Sequence, residues 1–406
     1  MLNMNTCDDD AELILSGGMV LVGGEFFANQ SVAVSGGYIQ AVGTAEYGRR
    51  VFDASGLLVL PGLVDLHGDA FERQLMPRPG VHFPHALALL ETDRQLLGNG
   101  ITTAYHGLTW SWEPGLRGKF AAHAFLASLE ETRSRLGCDT RLHLRFETHN
   151  VDDLEEVEAC LLSGRVDLLA FNDHTGHLSE EIKQTHKVES LAGRSGLGAD
   201  EYRARLAAAI ERAAEVPGAL ARLSRAAGGR LPMASHDDDT PAVRAWYREL
   251  GCLIAEFPTS LEAARAAKAH GDHVVLGAPN ALRGRSHKSS NLDARSAVAE
   301  GLCDILASDY YYPALLEAPF ILAREAVLPL AEAWKLVSEN PAKAAGLADR
   351  GRLAPGQRAD LVLVDASAPS PRVVAVLVGG RLVHAGPEAF PRMGWSTPTV
   401  AGGVYP

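Results

Sequence analysis

Imidazoles and carboxylates recur at the ends of short apolar runs: Val64-Asp65-Leu66-His67-Gly68-Asp69, Arg145-Phe146-Glu147, Asn172-Asp173-His174, Ser235-His236-Asp237 and Ser308-Asp309. Hard or borderline divalent cations accept both donor types together. In a strand, residues i and i+2 point the same way, so His67 and Asp69 can chelate one ion. Glu147 carries two oxygens and can bridge two ions. With His174, His236 and Asp309 the set supplies enough donors for two divalent metals, zinc or else manganese or iron. One such residue alone reads as a cap or a satisfied core histidine. Their recurrence at strand ends points instead to a metal centre on the catalytic face of a barrel.

The elements that must position them follow from the apolar pattern. Short β-branched runs at 60–66, 101–106, 141–147, 166–172, 231–235, 252–256, 273–277 and 302–308 read as strands. Ala/Leu/Arg/Glu segments of helical period separate them, at 85–98, 119–136, 151–163, 201–227, 240–250, 260–270, 291–300 and 331–339. Strands alternating with helices imply a parallel sheet, and eight such units are the content of a (β/α)8 TIM barrel. Hairpin-like runs near both ends predict a small discontinuous β-sandwich, with parts at 1–59 and 350–406 around a barrel at 60–349. Residues 175–200, polar and Gly-containing, exceed an ordinary connection and read as a lid over the strand ends or a solvated insertion.

Of the 406 residues 47% are hydrophobic, enough for a large core, and the net charge of -12 disfavours a nucleic-acid surface. Five cysteines, Cys7, Cys138, Cys160, Cys252 and Cys303, form no CxxC pair, which fits a reducing cytoplasm. No long apolar run suggests a membrane span, and the acidic start MLNMNTCDDDAELIL lacks a secretory pattern. A cytoplasmic protein without membrane or nucleic-acid partners is expected, and homo-oligomers are compatible with this composition.

The stretch LPGLVDLHGD with the later NPAKAAGLADRGRLAPGQRADLVLVD resembles the amidohydrolase superfamily. Within it, PRPG at 77–80, RLHLRFE at 141–147, NDH at 172–174, ASHDDDT at 234–240, GAPNALRGRSH at 277–287 and ASDYYYPALL at 307–316 are similar to the α-D-ribose 1-methylphosphonate 5-triphosphate diphosphatases. The resemblance implies a hydrolase that releases pyrophosphate from a small phosphorylated substrate. It places His67, Asp69, Glu147, His174, His236 and Asp309 at the metals, with Asp309 also taking the proton of the attacking water.

For the triphosphate, Arg73, Arg78, Arg283, Arg285, His287 and Lys288 are the candidates, since guanidinium forks match phosphate oxygens. The run 283–291 also offers backbone N–H groups ahead of a helix, although charge patterning alone equally describes a solvated loop. Asp237 or Asp238 is expected to orient His236, Glu256 to support the centre without touching metal, and Asp239 to cap the helix before Pro241. The chain departs from the family pattern at Thr175-Gly176-His177, at Lys288-Ser289-Ser290 and at Ala70-Phe71-Glu72-Arg73-Gln74. An amidase or deaminase acting on another phosphorylated or cyclic amide substrate is therefore the alternative.

Overall fold

The computed structural model describes residues 13–43, 50–284 and 292–393. The chain divides into two compact units, residues 1–62 with 352–406 and residues 63–351.

The first unit is a sheet built from both chain ends. Its strands are β1 (Leu13–Val22), β2 (Glu25–Ser35), β3 (Tyr38–Gly43), β4 (Arg50–Asp53) and β5 (Leu58–Pro61). The second unit then supplies β6 to β13, and β14 (Leu361–Asp365), β15 (Arg372–Val378) and β16 (Arg381–Ala385) return to the first. The order is β16-β15-β14-β5-β1-β2-β3, with β4 also on β1. β14 pairs antiparallel with β5, so the two ends of the chain share one hydrogen-bonded network around a core of Leu15, Val32, Ile39, Phe52, Leu361, Leu363 and Leu377.

The second unit is the barrel. β6 (Leu63–Gly68), β7 (Ile101–Trp110), β8 (Asp139–Glu147), β9 (Leu168–Asn172), β10 (Met233–His236), β11 (Ile254–Glu256), β12 (His273–Gly277) and β13 (Ile305–Ala307) pair in parallel, each with the next. The cylinder closes where β6 meets the end of β13: Asp309 N–H donates to His67 O at 2.8 Å and Asp69 N–H to Asp309 O at 3.0 Å. Asp65 reinforces the seam by accepting from Ser308 Oγ at 2.5 Å and Ser308 N–H at 3.0 Å.

Side-chain alternation sorts the strand residues. Leu142, Leu144, Phe146, Leu169 and Phe171 face outward into a buried cluster with Phe125, Leu129, Leu220 and Leu223 of the surrounding helices. Tyr105, Leu168, Ala170, Ala234, Ile254, Val275 and Ile305 belong to a second cluster that floors the barrel. Each large apolar side chain removed from water contributes about 1.5–3 kcal/mol, which fixes the register and so the direction of every polar residue between them.

Several helices start directly after strand ends with side-chain caps. Thr240 accepts from Val243 N–H at 3.3 Å before Pro241–Glu249, and Ser260 accepts from Ala263 N–H at 3.0 Å before Leu261–Ala269. Thr240, not Asp239, is thus the cap: its hydroxyl reaches the orphan N–H, while Asp239 offers its carbonyl to Ser260 Oγ. The segment at 175–200 is not an open loop. It folds into Thr175–Glu181 and Thr185–Ser195, followed by Ala199–Glu211. Val188, Ala192 and Tyr202 give this insert its own small core with Trp112, and Glu113 anchors it by accepting from Arg194 and from Ser195 Oγ at 2.9 Å. The long helix expected at 201–227 is broken at 213–215, with Pro217 opening Val216–Ala227. Pro313–Arg324 is a further helix, continuous with its internal Pro319, that the periodicity did not separate.

Candidate metal centre

The inward face of β8 explains the centre from the residues up. In Arg141-Leu142-His143-Leu144-Arg145-Phe146-Glu147 the apolar side chains go out, so His143, Arg145 and Glu147 go in. They meet His67 and Asp69 from β6 and its end, His174 after β9, His236 ending β10, Glu256 ending β11 and Asp309 after β13.

Among the described residues, three groups of donors lie close enough to hold an ion: His67, Asp69 and Asp309; His174, His236 and Asp237; and His67, His143 and Glu256. Glu147 Oε1 stands 2.6 Å from His174 Nδ1. The His67 and His236 rings stack with centroids 5.4 Å apart, and His174 meets His236 edge-on at 5.4 Å. The six residues expected at the metals therefore converge on one end of the barrel.

Charge is concentrated here. Burial and the neighbouring Asp69 push the Asp309 carboxyl up to about 7, and burial raises Asp69 as well. Burial, then Arg145 and His143, holds His67 well below the ordinary imidazole value, and burial lowers His236 likewise. Burial lowers His174 too, but the adjacent Glu147 carboxylate outweighs it and raises the ring above its usual value. Arg145, almost fully buried, donates to Asp69 Oδ2 at 3.2 Å and reaches the Asn172 side-chain oxygen at 3.2 Å. Arg117 donates to both oxygens of Glu72 at 2.9 and 2.8 Å just behind Asp69.

A divalent cation fits this donor set. The carboxylates of Asp69, Glu147 and Asp309 and the imidazoles of His67 and His236, whose burial disfavours protonation, crowd one region, and His143 Nε2 is buried without a hydrogen-bond partner. Such groups are costly unless a cation or donor satisfies them. The backbone also bends to serve the site. Asp237, Phe257 and Asp309, each placed just past a strand end, have φ of 60, 51 and 53°. Asp tolerates that conformation, but a bulky ring there is strained, a condition that clusters at functional sites.

Other expected residues fall elsewhere. Asp237 faces His236 Nε2 and His174 Nε2, both at 3.8 Å, and so belongs to a donor group itself. Asp238 does not reach His236; it accepts from Ser235 Oγ at 2.7 Å and Arg244 at 3.0 Å. Arg73 donates to the Tyr310 carbonyl at 2.5 Å, one residue beyond Asp309. Arg78 and Arg283 are exposed, at the 77–80 turn and at the end of Ala278–Arg283. Arg285, His287 and Lys288 lie outside the described residues. His143 and Arg145 escaped the sequence reading, although the same i, i+2 rule that paired His67 with Asp69 would have found them two and four positions before Glu147.

A parallel eight-stranded barrel with histidines and carboxylates gathered at the C-terminal edge of its strands carries them where barrel enzymes place their active sites. The chain belongs to the Amidohydrolase family, which matches residues 58–383, and it is a hydrolase. It is 36% identical over 345 residues to the α-D-ribose 1-methylphosphonate 5-triphosphate diphosphatase of Escherichia coli (strain K12), a match spanning 82% of this chain and 90% of that one. An adenine deaminase of Methylobacterium nodulans is 28% identical across 93% of this chain, which spans 59% of that protein. Among solved structures, a dihydropyrimidinase from Brevibacillus agri NCHU1002 shares the fold with a TM-score of 0.61 at 16% identity, covering 92% of this chain and 95% of that one.

Proposed function

We propose that this hydrolase cleaves the triphosphate of α-D-ribose 1-methylphosphonate 5-triphosphate, releasing pyrophosphate and leaving the 5-phosphate. The observation that carries this reading is the similarity to the Escherichia coli diphosphatase along nearly the whole of both chains. The adenine deaminases are less similar and extend well beyond this chain.

In this reading His67, Asp69, Glu147, His174, His236 and Asp309 hold two divalent ions, zinc or else manganese or iron, with Asp237 as a further donor. Such ions lower the pKa of water and neutralise charge on the attacked phosphoryl group. The protein's own part is to orient and to move a proton. A water oxygen attacks the phosphorus next to the ribose, the anhydride bond to the outer two phosphates breaks, and pyrophosphate leaves with the bonding electrons. Asp309 takes the water proton, since its carboxylate lies beside His67 and Asp69, the groups that would hold the ion and its water. Arg73, held at Tyr310 beside Asp309, stands where it can meet phosphate oxygens, and Arg78, Arg283, His287 and Lys288 are proposed as further phosphate contacts.

The test incubates metal-reconstituted enzyme with the ribosyl phosphonate triphosphate and a panel of nucleoside triphosphates, read by phosphorus NMR, and with adenine and a cyclic amide, read by ultraviolet absorbance and an ammonia assay. Pyrophosphate from the phosphonate substrate is expected. Ammonia release or ring opening without phosphate cleavage would establish the deaminase or amidase reading instead.

A further inference from the structure

Glu256, at the end of β11, is fully buried and lies under both halves of the centre. Its Oε2 is 3.2 Å from His67 Nδ1 and 3.4 Å from His236 Nδ1. Those histidines belong to different donor groups, one with Asp69 and Asp309, the other with His174 and Asp237. The next residue touches the same two rings. Phe257 packs edge-on against His67 at 4.9 Å, interplanar angle 82°, and against His236 at 5.2 Å and 83°. It does so from a φ of 51°, a conformation a phenylalanine adopts only where the surroundings impose it.

We propose that Glu256 and Phe257 form one clamp that positions both imidazoles, the carboxylate setting the tautomer and the phenyl ring the plane. A carboxylate only accepts, and a neutral imidazole has one N–H. With Nδ1–H of both rings given to Oε2, Nε2 of each is left bare and aimed away from Glu256. His143 cannot compete, because its Nδ1–H goes to Leu66 O at 2.9 Å, leaving its Nε2 without a proton 3.7 Å from Oε2. One buried acid thereby makes two histidines into ligands at once and raises the basicity of both. Loss of that acid is felt at two ions, whereas loss of an ordinary ligand is felt at one. The inference rests on the proposal that the centre holds two ions.

The experiment uses full-length wild type, Glu256→Met and Glu256→Gln. Each is stripped of metal, then titrated with Zn2+ against a competing chromophoric chelator, with the bound equivalents counted by mass spectrometry. Imidazole 15N spectra of the metal-free proteins report the tautomers. Wild type should take up two equivalents and show His67 and His236 protonated on Nδ1. In Glu256→Met both affinities should fall by roughly 10–100-fold, and both rings should shift toward the Nε2–H form. Glu256→Gln, whose side-chain oxygen still accepts, should keep the Nδ1–H spectrum with smaller losses at both sites, and it decides the matter if the methionine variant does not fold. Unchanged affinities and tautomers would overturn the clamp. So would the loss of one equivalent with the other site untouched, which would make Glu256 a direct ligand. None of these readings needs substrate, so failure of the diphosphatase assay leaves them standing; a wild type that takes up no metal would instead sink the two-ion premise.

Discussion

Arg244 offers a quantitative test of how the scaffold holds β10 in place. Its guanidinium is about as buried as any side chain in the barrel, with 1% exposure, and donates to Ser235 Oγ at 2.6 Å, to Asp238 Oδ2 at 3.0 Å and to the Cys252 carbonyl, while facing Asp272 at 3.5 Å. Ser235 immediately precedes His236, so the network fixes the strand that presents an imidazole proposed to bind metal. Substituting Arg244→Met keeps volume but leaves Asp238, itself 1% exposed, as a buried acid without its counter-charge. Asp272 retains Arg248 at 3.0 Å, so the loss concentrates on Asp238. Removing one partner of a buried pair costs about 3–5 kcal/mol. The Asp238→Asn, Arg244→Met double variant should recover about 0.5–3 kcal/mol of that, as contacting residues in one network do. Urea unfolding followed by circular dichroism measures both. A single-variant loss below about 1 kcal/mol, or strictly additive single variants, would refute the claim that the pair holds the strand.

Removing metal with a chelator should abolish hydrolysis and lower the unfolding temperature, because ions that bind only the folded chain stabilise it by mass action; readdition of Zn2+ or Mn2+ should reverse both in a thermal-shift assay. Gly107→Ala places a Cβ 3.1 Å from Arg145 Cδ and 3.8 Å from His67 Nε2, and the overpacking should cost about 1–3 kcal/mol while weakening metal uptake; an unchanged metal affinity would count against Arg145 as part of the centre. Burial raises the Glu72 carboxyl, but Arg117 overrides it and holds the group below its ordinary value. The folded value thus lies below the unfolded one, so this pair's stability is present above about pH 4.3 and lost as pH falls through the folded value. The stability gap between wild type and Glu72→Gln, read from urea midpoints, should shrink on acidification, and a gap that widens would disprove the assignment.

The barrel was legible because each strand is a short apolar run bounded by helical period. β12 coincides with the expected 273–277, and the others shift by only a few residues. The convergence of the residues proposed at the metals was legible for a positional reason: a strand that ends in His or Asp advertises its last residue. His143 and Arg145 were hidden because they sit inside β8, where polar side chains between leucines suggest a half-exposed strand rather than a barrel interior. Adjacency offered both Asp237 and Asp238 to His236, but a left-handed turn at Asp237 directs the next side chain back to Arg244, and adjacency carries no information about such turns. The segment at 175–200 looked like a loop because its helices bury few apolar side chains, chiefly Leu178, Val188 and Ala192, too few positions to mark a period.

The seam at which the cylinder shuts has a consequence for biosynthesis. Asp65 and Ser308, 243 positions apart, are joined across it, and the same few backbone bonds bring Asp309 to His67. A ribosome that has delivered the first seven barrel strands has delivered every other proposed ligand, yet the nascent chain still lacks the carboxylate that stands beside His67 and Asp69. Completion of the donor group of His67, Asp69 and Asp309 is thereby deferred until the eighth strand emerges, and a stalled or truncated product lacks it.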